Sequence, residues 1–247
     1  PAATVDLYDK IVKATPAKND QEHFKLVVEQ NPQISDRTAC LLKGGADPTL
    51  AMYGCARRLQ KDGCDAIIVP CNTAHAFVPY LERHLDIPFI NMQIAPKAIQ
   101  EGVAKDKAEE IKAKLGDKAR IGLLATSGTV QTGIYGDKAK ALNLPMFVPD
   151  ELHQERVMAA IYGPLGAKAG YTDGQCREDL VSAAEYLVKT YDCNCLILGC
   201  TELPLILDEC DDFVCAGKEV CVVDPTSALA RKVVRIATET NKARGTR

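Results

Sequence analysis

The sequence has no Cys-x-x-Cys pair, no long apolar run and no excess of basic charge. Each absence excludes something. Thirty Lys and Arg stand against 33 Asp and Glu, a formal net charge of −3. Gripping a phosphate backbone takes a basic patch, so no nucleic-acid partner is expected. Apolar runs such as residues 66–69 and 195–198 are far shorter than the roughly 20 residues of a bilayer span, so no membrane association is expected. The N-terminus shows no basic stretch leading into an apolar one, so no secretion signal is read. The four histidines (His23, His75, His84, His153) are scattered, and without paired cysteines they make no zinc site; no metal is expected.

Cysteine, by contrast, is plentiful: eleven in 247 residues. An odd count, no secretion signal and a large potential core point to reduced thiols and a cytoplasmic location. Most of the eleven read as small buried hydrophobes. With 47% hydrophobic residues, the chain can bury one large α/β domain or two small lobes.

Short β-branched runs alternate with amphipathic stretches. Strands are expected at residues 26–29, 66–70, 87–91, 120–125, 146–148, 195–199 and 220–224. Helices are expected at 47–62 (with Pro48 at its start), 73–84, 94–115, part of 127–142, 151–162, 177–191 and 226–241. Such alternation implies parallel sheets covered on both faces. The segment Asp62-Gly63-Cys64-Asp65-Ala66-Ile67-Ile68-Val69-Pro70-Cys71-Asn72-Thr73 resembles Tyr191-Asp192-Cys193-Asn194-Cys195-Leu196-Ile197-Leu198-Gly199-Cys200-Thr201, each placing a Cys seven residues before another Cys. The simplest model is an α/β fold of two pseudo-symmetric lobes, each a parallel sheet flanked by helices, with the site in the cleft between them. Lobe 1 would comprise residues 1–92 and 226–247, and lobe 2 residues 93–225.

In that model Cys71 and Cys200 sit at equivalent strand C-termini, where α/β sheets place ligands. Backbone N–H groups and the positive end of a following helix favour a thiolate there. Two matched acid–base groups suit inversion at a carbon: a proton leaves one face while another arrives on the opposite face.

Cys71-Asn72-Thr73-Ala74-His75-Ala76-Phe77 and Gly199-Cys200-Thr201-Glu202-Leu203-Pro204-Leu205 resemble the paired signatures of the aspartate/glutamate racemase superfamily. Asp36-Arg37-Thr38 and Leu124-Ala125-Thr126-Ser127-Gly128-Thr129 also fit. Glu after the second Cys-Thr is similar to the aspartate racemase branch. The resemblance implies a cofactor-independent racemase of aspartate, with glutamate as the alternative substrate, acting as a cytoplasmic homodimer. It implies that Cys71 takes the α-proton from the D-enantiomer and Cys200 from the L-enantiomer. Arg37 and Lys168 would hold the two carboxylates. Asn72, Thr73, Thr126, Thr129 and Thr201 would hydrogen-bond the α-carboxylate and amine, and Asn31 and Gln33 would line the side-chain pocket.

The residues alone leave other readings open. Arg37 also fits a solvated turn, and Lys168 a surface lysine. His75 reads as a proton relay, as an orienting group for Cys71, or as a helix-surface histidine. Glu202 orients Cys200 or caps a helix, and Thr126 to Thr129 could be only a helix cap. A lyase or isomerase of the same superfamily, and a non-catalytic binding protein for acidic amino acids, are the alternative functions. The family opens with a strand and a Gly-rich turn ahead of Ala3-Thr4-Val5-Asp6, whereas this sequence begins at Pro1. A preceding strand is therefore expected, because a lobe without it would expose inner strand edges.

Overall fold

The computed structural model describes residues 1–92, 115–141 and 143–245. Its centre is a five-stranded sheet in the order β2-β1-β3-β5-β4, with β1 Ile121–Leu124, β2 Met146–Phe147, β3 Cys195–Leu198, β4 Cys210–Cys215 and β5 Lys218–Val223. The first four strands in that order run parallel, and β4 pairs antiparallel at the edge. All four residues of β1 and of β3 are buried, as a sheet covered on both faces requires.

Alternation along β3 sorts the core. Leu196 and Leu198 join Leu124, Val157, Leu180 and Leu187 on one face, under the helices Glu151–Tyr162 and Gln175–Tyr191. Cys195 and Ile197 join Ile121, Leu123, Tyr135 and Ala139 on the other, under the helix Ile134–Ala141. Elsewhere, the helix Ala2–Ala14 buries Leu7 and Ile11 against Leu229 and Val234 of the helix Pro225–Arg244.

Most expected elements lie within a residue or two of their observed bounds; Glu151–Tyr162 matches at both ends. Four expectations need correcting. Residues 26–29 form no strand, and residues 66–70 and 87–91 share a single parallel bridge, Ile67 to Phe89. A strand needs a partner backbone, and a cleft of about 1200 Å³, lined by Leu7, Leu26, Ile68, Ile90 and Val233, lies beside these segments. The helix expected over 73–84 is instead a 3₁₀ turn Thr73–Ala76, one α-turn Val78–Leu81 and a second 3₁₀ turn Glu82–His84. Two helices, Ala2–Ala14 and Arg37–Lys43, and strand β4 were not foreseen. The helix expected over 94–115 lies outside the described residues in all but its last position.

Candidate active site

Parallel strands deliver the site at their carboxyl ends. Chain leaving β1 reaches Thr126, which caps the helix Ser127–Gln131 by accepting from the Thr129 N–H. Chain leaving β3 passes Gly199 to Cys200. A Cβ at Gly199 would lie 2.7 Å from Leu123 Cδ1 and 2.8 Å from Ala125 Cβ, so only glycine lets β1 pass this close.

Buried polar contacts tie the Cys71 turn to these strand ends. Thr201 Oγ1 donates to Pro70 O at 3.1 Å, joining the neighbour of one thiol to the neighbour of the other. Thr73 Oγ1 lies 3.2 Å from Thr126 Oγ1 and 3.1 Å from Thr129 Oγ1. With Thr126 and Thr129 also 3.1 Å apart, the three hydroxyls form a buried triangle. Tyr135 Oη donates to Asn72 Oδ1 at 2.6 Å.

The two thiols meet different partners. Arg37 follows Asp36, which caps the helix Arg37–Lys43 through Ala39 N at 2.7 Å. Arg37 Nη1 donates to Ile34 O and Ser35 O, at 3.3 and 3.1 Å. Its guanidinium sits beside Cys71. Burial works against its charge, but the neighbouring Cys71 sulfur and Asp36 outweigh it and raise its pKa. Cys200 Sγ, in contrast, donates to Glu202 Oε2 at 2.9 Å, and Lys168 Nζ holds Glu202 Oε1 at 3.1 Å. Burial and then the Glu202 charge push the Cys200 thiol well above the ordinary range. Burial opposes ionisation of Glu202, yet Lys168 and the Cys200 hydrogen bond bring its pKa below the ordinary value. The expectation of a thiolate favoured by its turn therefore fails at Cys200. Only a 3₁₀ turn, Leu203–Leu205, follows it, too short for a sizeable dipole, and a carboxylate faces the sulfur.

His75 is no surface histidine: it is 1% exposed. Nδ1 lies 2.7 Å from Cys71 O, which can only accept, so Nδ1 carries the proton and Nε2 accepts from Met92 N–H at 3.3 Å. Burial pushes its pKa down to about 4. His75 is thus a neutral clamp on the Cys71 backbone. Glu202 makes no side-chain cap and instead orients the Cys200 sulfur. Lys168 is bridged rather than free at the surface.

Asn31 and Gln33 behave differently from the other candidates. Asn31 accepts from Gln33 N at 3.0 Å and directs Nδ2 to Cys55 Sγ at 3.7 Å, closing a local turn. Gln33 is exposed. Sequence reasoning missed Tyr135 and Tyr162. Tyr162, the last residue of its helix, donates Oη to Asp36 Oδ2 at 3.1 Å and lies 3.4 Å from Thr38 Oγ1. Lys168 Nζ lies over its ring, 4.9 Å from the centroid. Its place beside the loop that carries Lys168 was the one available signal.

A family model described as Asp/Glu/hydantoin racemase matches residues 1–233. The glutamate racemase of Aquifex aeolicus is 26% identical over 189 residues, 75% of this chain and 64% of its own length. That of Desulforudis audaxviator is 32% identical over 176 residues, 70% of this chain and 56% of its own. The chain therefore spans less than two thirds of these curated relatives. The structure of Picrophilus torridus aspartate racemase is 27% identical with a TM-score of 0.73, covering 100% of this chain and 91% of that one. An aspartate racemase homologue from Pyrococcus horikoshii shares the fold at 21% identity and a TM-score of 0.66, covering 96% and 95%.

Proposed function

The chain belongs to the Asp/Glu/hydantoin racemase family, and from that premise we propose that it interconverts the enantiomers of an acidic amino acid, aspartate first, with Cys71 and Cys200 as the acid–base pair. The observation that carries this reading is the junction of the two cysteine turns, Thr201 Oγ1 on Pro70 O at 3.1 Å, with an ionic partner at each sulfur. Cys71, as thiolate beside Arg37, takes the α-proton of the D-enantiomer. Cys200, as the thiol held by Glu202, gives its proton to the opposite face. One thiolate becomes a thiol and one thiol a thiolate, so charge and protons balance. The reverse direction exchanges the roles. The scheme asks nothing of a bound cofactor.

Arg37 and Lys168 supply two cations for two carboxylates. Lys168 is already paired with Glu202, so an arriving carboxylate would share it. Asn72, Thr73, Thr126, Thr129 and Thr201 would exchange some of their mutual hydrogen bonds for bonds to the α-carboxylate and amine. Neutralising that carboxylate eases charge developing at Cα. The lobe division at residues 1–92 with 226–247, and 93–225, belongs to this proposal, with the substrate cleft between the lobes. Aspartate is favoured over glutamate by Glu202 after Cys200-Thr201 and by the similarity to the Picrophilus torridus enzyme.

Turnover in D₂O tests the scheme. Aspartate should gain deuterium at Cα as it inverts, read by proton NMR, because the incoming proton comes from a solvent-exchanged thiol. Inverted product that keeps its original hydrogen would refute two-thiol transfer.

A further inference from the structure

Resting on that functional reading, we infer that Tyr162 is a positioning residue, a latch at the rim of the cleft that fixes Arg37 relative to Lys168. The contacts that tie the Cys71 turn and the Arg37 helix to the sheet side of the site fall into two groups. The Thr73–Thr126–Thr129 triangle and the Tyr135–Asn72 bond are buried, and with Thr201–Pro70 they form the floor. The Tyr162 bond to Asp36 is at the surface, and Tyr162 itself is 39% exposed. Opening the rim costs that solvent-accessible phenol bond and the packing of Thr38 on Gly128, whereas opening the floor strands buried hydroxyls.

The placement of the partners gives that bond its consequence. Asp36 caps the helix whose first residue is Arg37. Thr38, the phenol's second neighbour, lies one residue further on the same helix. The ring carries the ammonium of Lys168, which in turn holds Glu202 beside Cys200. One side chain thus joins the helix that presents one cation to the side chain of the other. A dicarboxylate gripped at both ends needs those cations at a set separation, and Tyr162 links them through Asp36 and Lys168.

Tyr162→Phe keeps the ring beneath Lys168 and removes the phenol bonds. It should raise KM for aspartate about tenfold, the loss of one hydrogen bond to a charged group, and leave kcat within about twofold. Tyr162→Leu removes the ring as well and should raise KM further. A second readout needs no turnover. In the substrate-free protein, iodoacetamide should modify Cys71 about fivefold faster in Tyr162→Phe than in wild type, by peptide mass spectrometry, because the rim opens more often. Thr38→Val, the second variant should the first not fold, should shift both readouts the same way by less. An unchanged KM in a racemising Tyr162→Phe enzyme overturns the latch. Should wild type invert no acidic amino acid, the functional reading fails, and equal alkylation rates in wild type and Tyr162→Phe would separately overturn the latch.

Discussion

Cys71 lies beside the Arg37 guanidinium, while Cys200 donates to the Glu202 carboxylate at 2.9 Å. The segments that carry them are similar in sequence, yet one thiol faces a cation and the other an anion. A reaction that runs between mirror images does not need symmetric groups. It needs one proton present and one absent, and in the proposed reaction burial and the Glu202 carboxylate keep the proton on Cys200 before substrate arrives. The equilibrium constant between enantiomers is one, so kcat/KM must be equal in the two directions whatever the asymmetry. The difference between the thiols should therefore surface in kcat and KM separately.

The largest expected effect breaks the pair. Cys71→Ser and Cys200→Ser should each lower racemisation by about a thousandfold or more, since a hydroxyl is a far weaker acid than a thiol and either missing partner blocks both directions. Near-normal inversion by either variant, followed by polarimetry, would remove the two-base scheme. A smaller effect sharpens the contrast. Glu202→Gln keeps the shape and removes the anion beside Cys200. Racemisation should fall about a hundredfold, in the range of a lost acid–base partner. At the same time the Cys200 thiol should ionise more readily, because the charge that holds it protonated is gone. Alkylation of Cys200 at mildly alkaline pH should then quicken. A variant in which Cys200 becomes less reactive would contradict the partnership.

The parallel core was legible because its signal is local. Residues 121–124 and 195–198 are unbroken apolar runs between helical stretches, and they are buried strands. Residues 26–29 carry the same β-branched signal and fail, because pairing is a property of the neighbouring backbone and not of the segment. Strand β4 escaped for the opposite reason. Its hairpin turns through Ala216 at φ 51° and Gly217 at φ 77°, where the common turn signal is Asn-Gly. The internal repeat pointed to the two cysteine turns, and the structure joins those turns through Thr201 and Pro70. Tyr162 and Tyr135 were not legible, because each reaches its partner from 126 and 63 residues away. Asn31 and Gln33 show the converse, a motif whose side chain and backbone are used within its own turn.

The smallest expected effect concerns how each cysteine's backbone is held. The Cys200 backbone follows Gly199 in the close approach to β1, a matter of packing. The Cys71 backbone depends on buried His75, which donates to Cys71 O and accepts from Met92 N–H. Protonating Nε2 turns that acceptor into a donor facing another donor. Because the folded pKa is depressed to about 4 from 6.5, the unfolded chain binds the proton first as pH falls. The contribution is therefore complete above pH 6.5 and drains away as pH drops towards 4, by roughly 1 kcal/mol at pH 5.5. Wild type should lose thermal stability across this window. Carboxylates titrate there too, so the comparison with His75→Gln isolates the term: the variant, less stable at pH 8, should fall by about 1 kcal/mol less between pH 7 and 5.5 in denaturant melts. Equal losses in the two proteins would mean that the clamp on Cys71 is indifferent to the proton. The unlike holding of the two cysteines would then have no consequence for the acid stability of the protein.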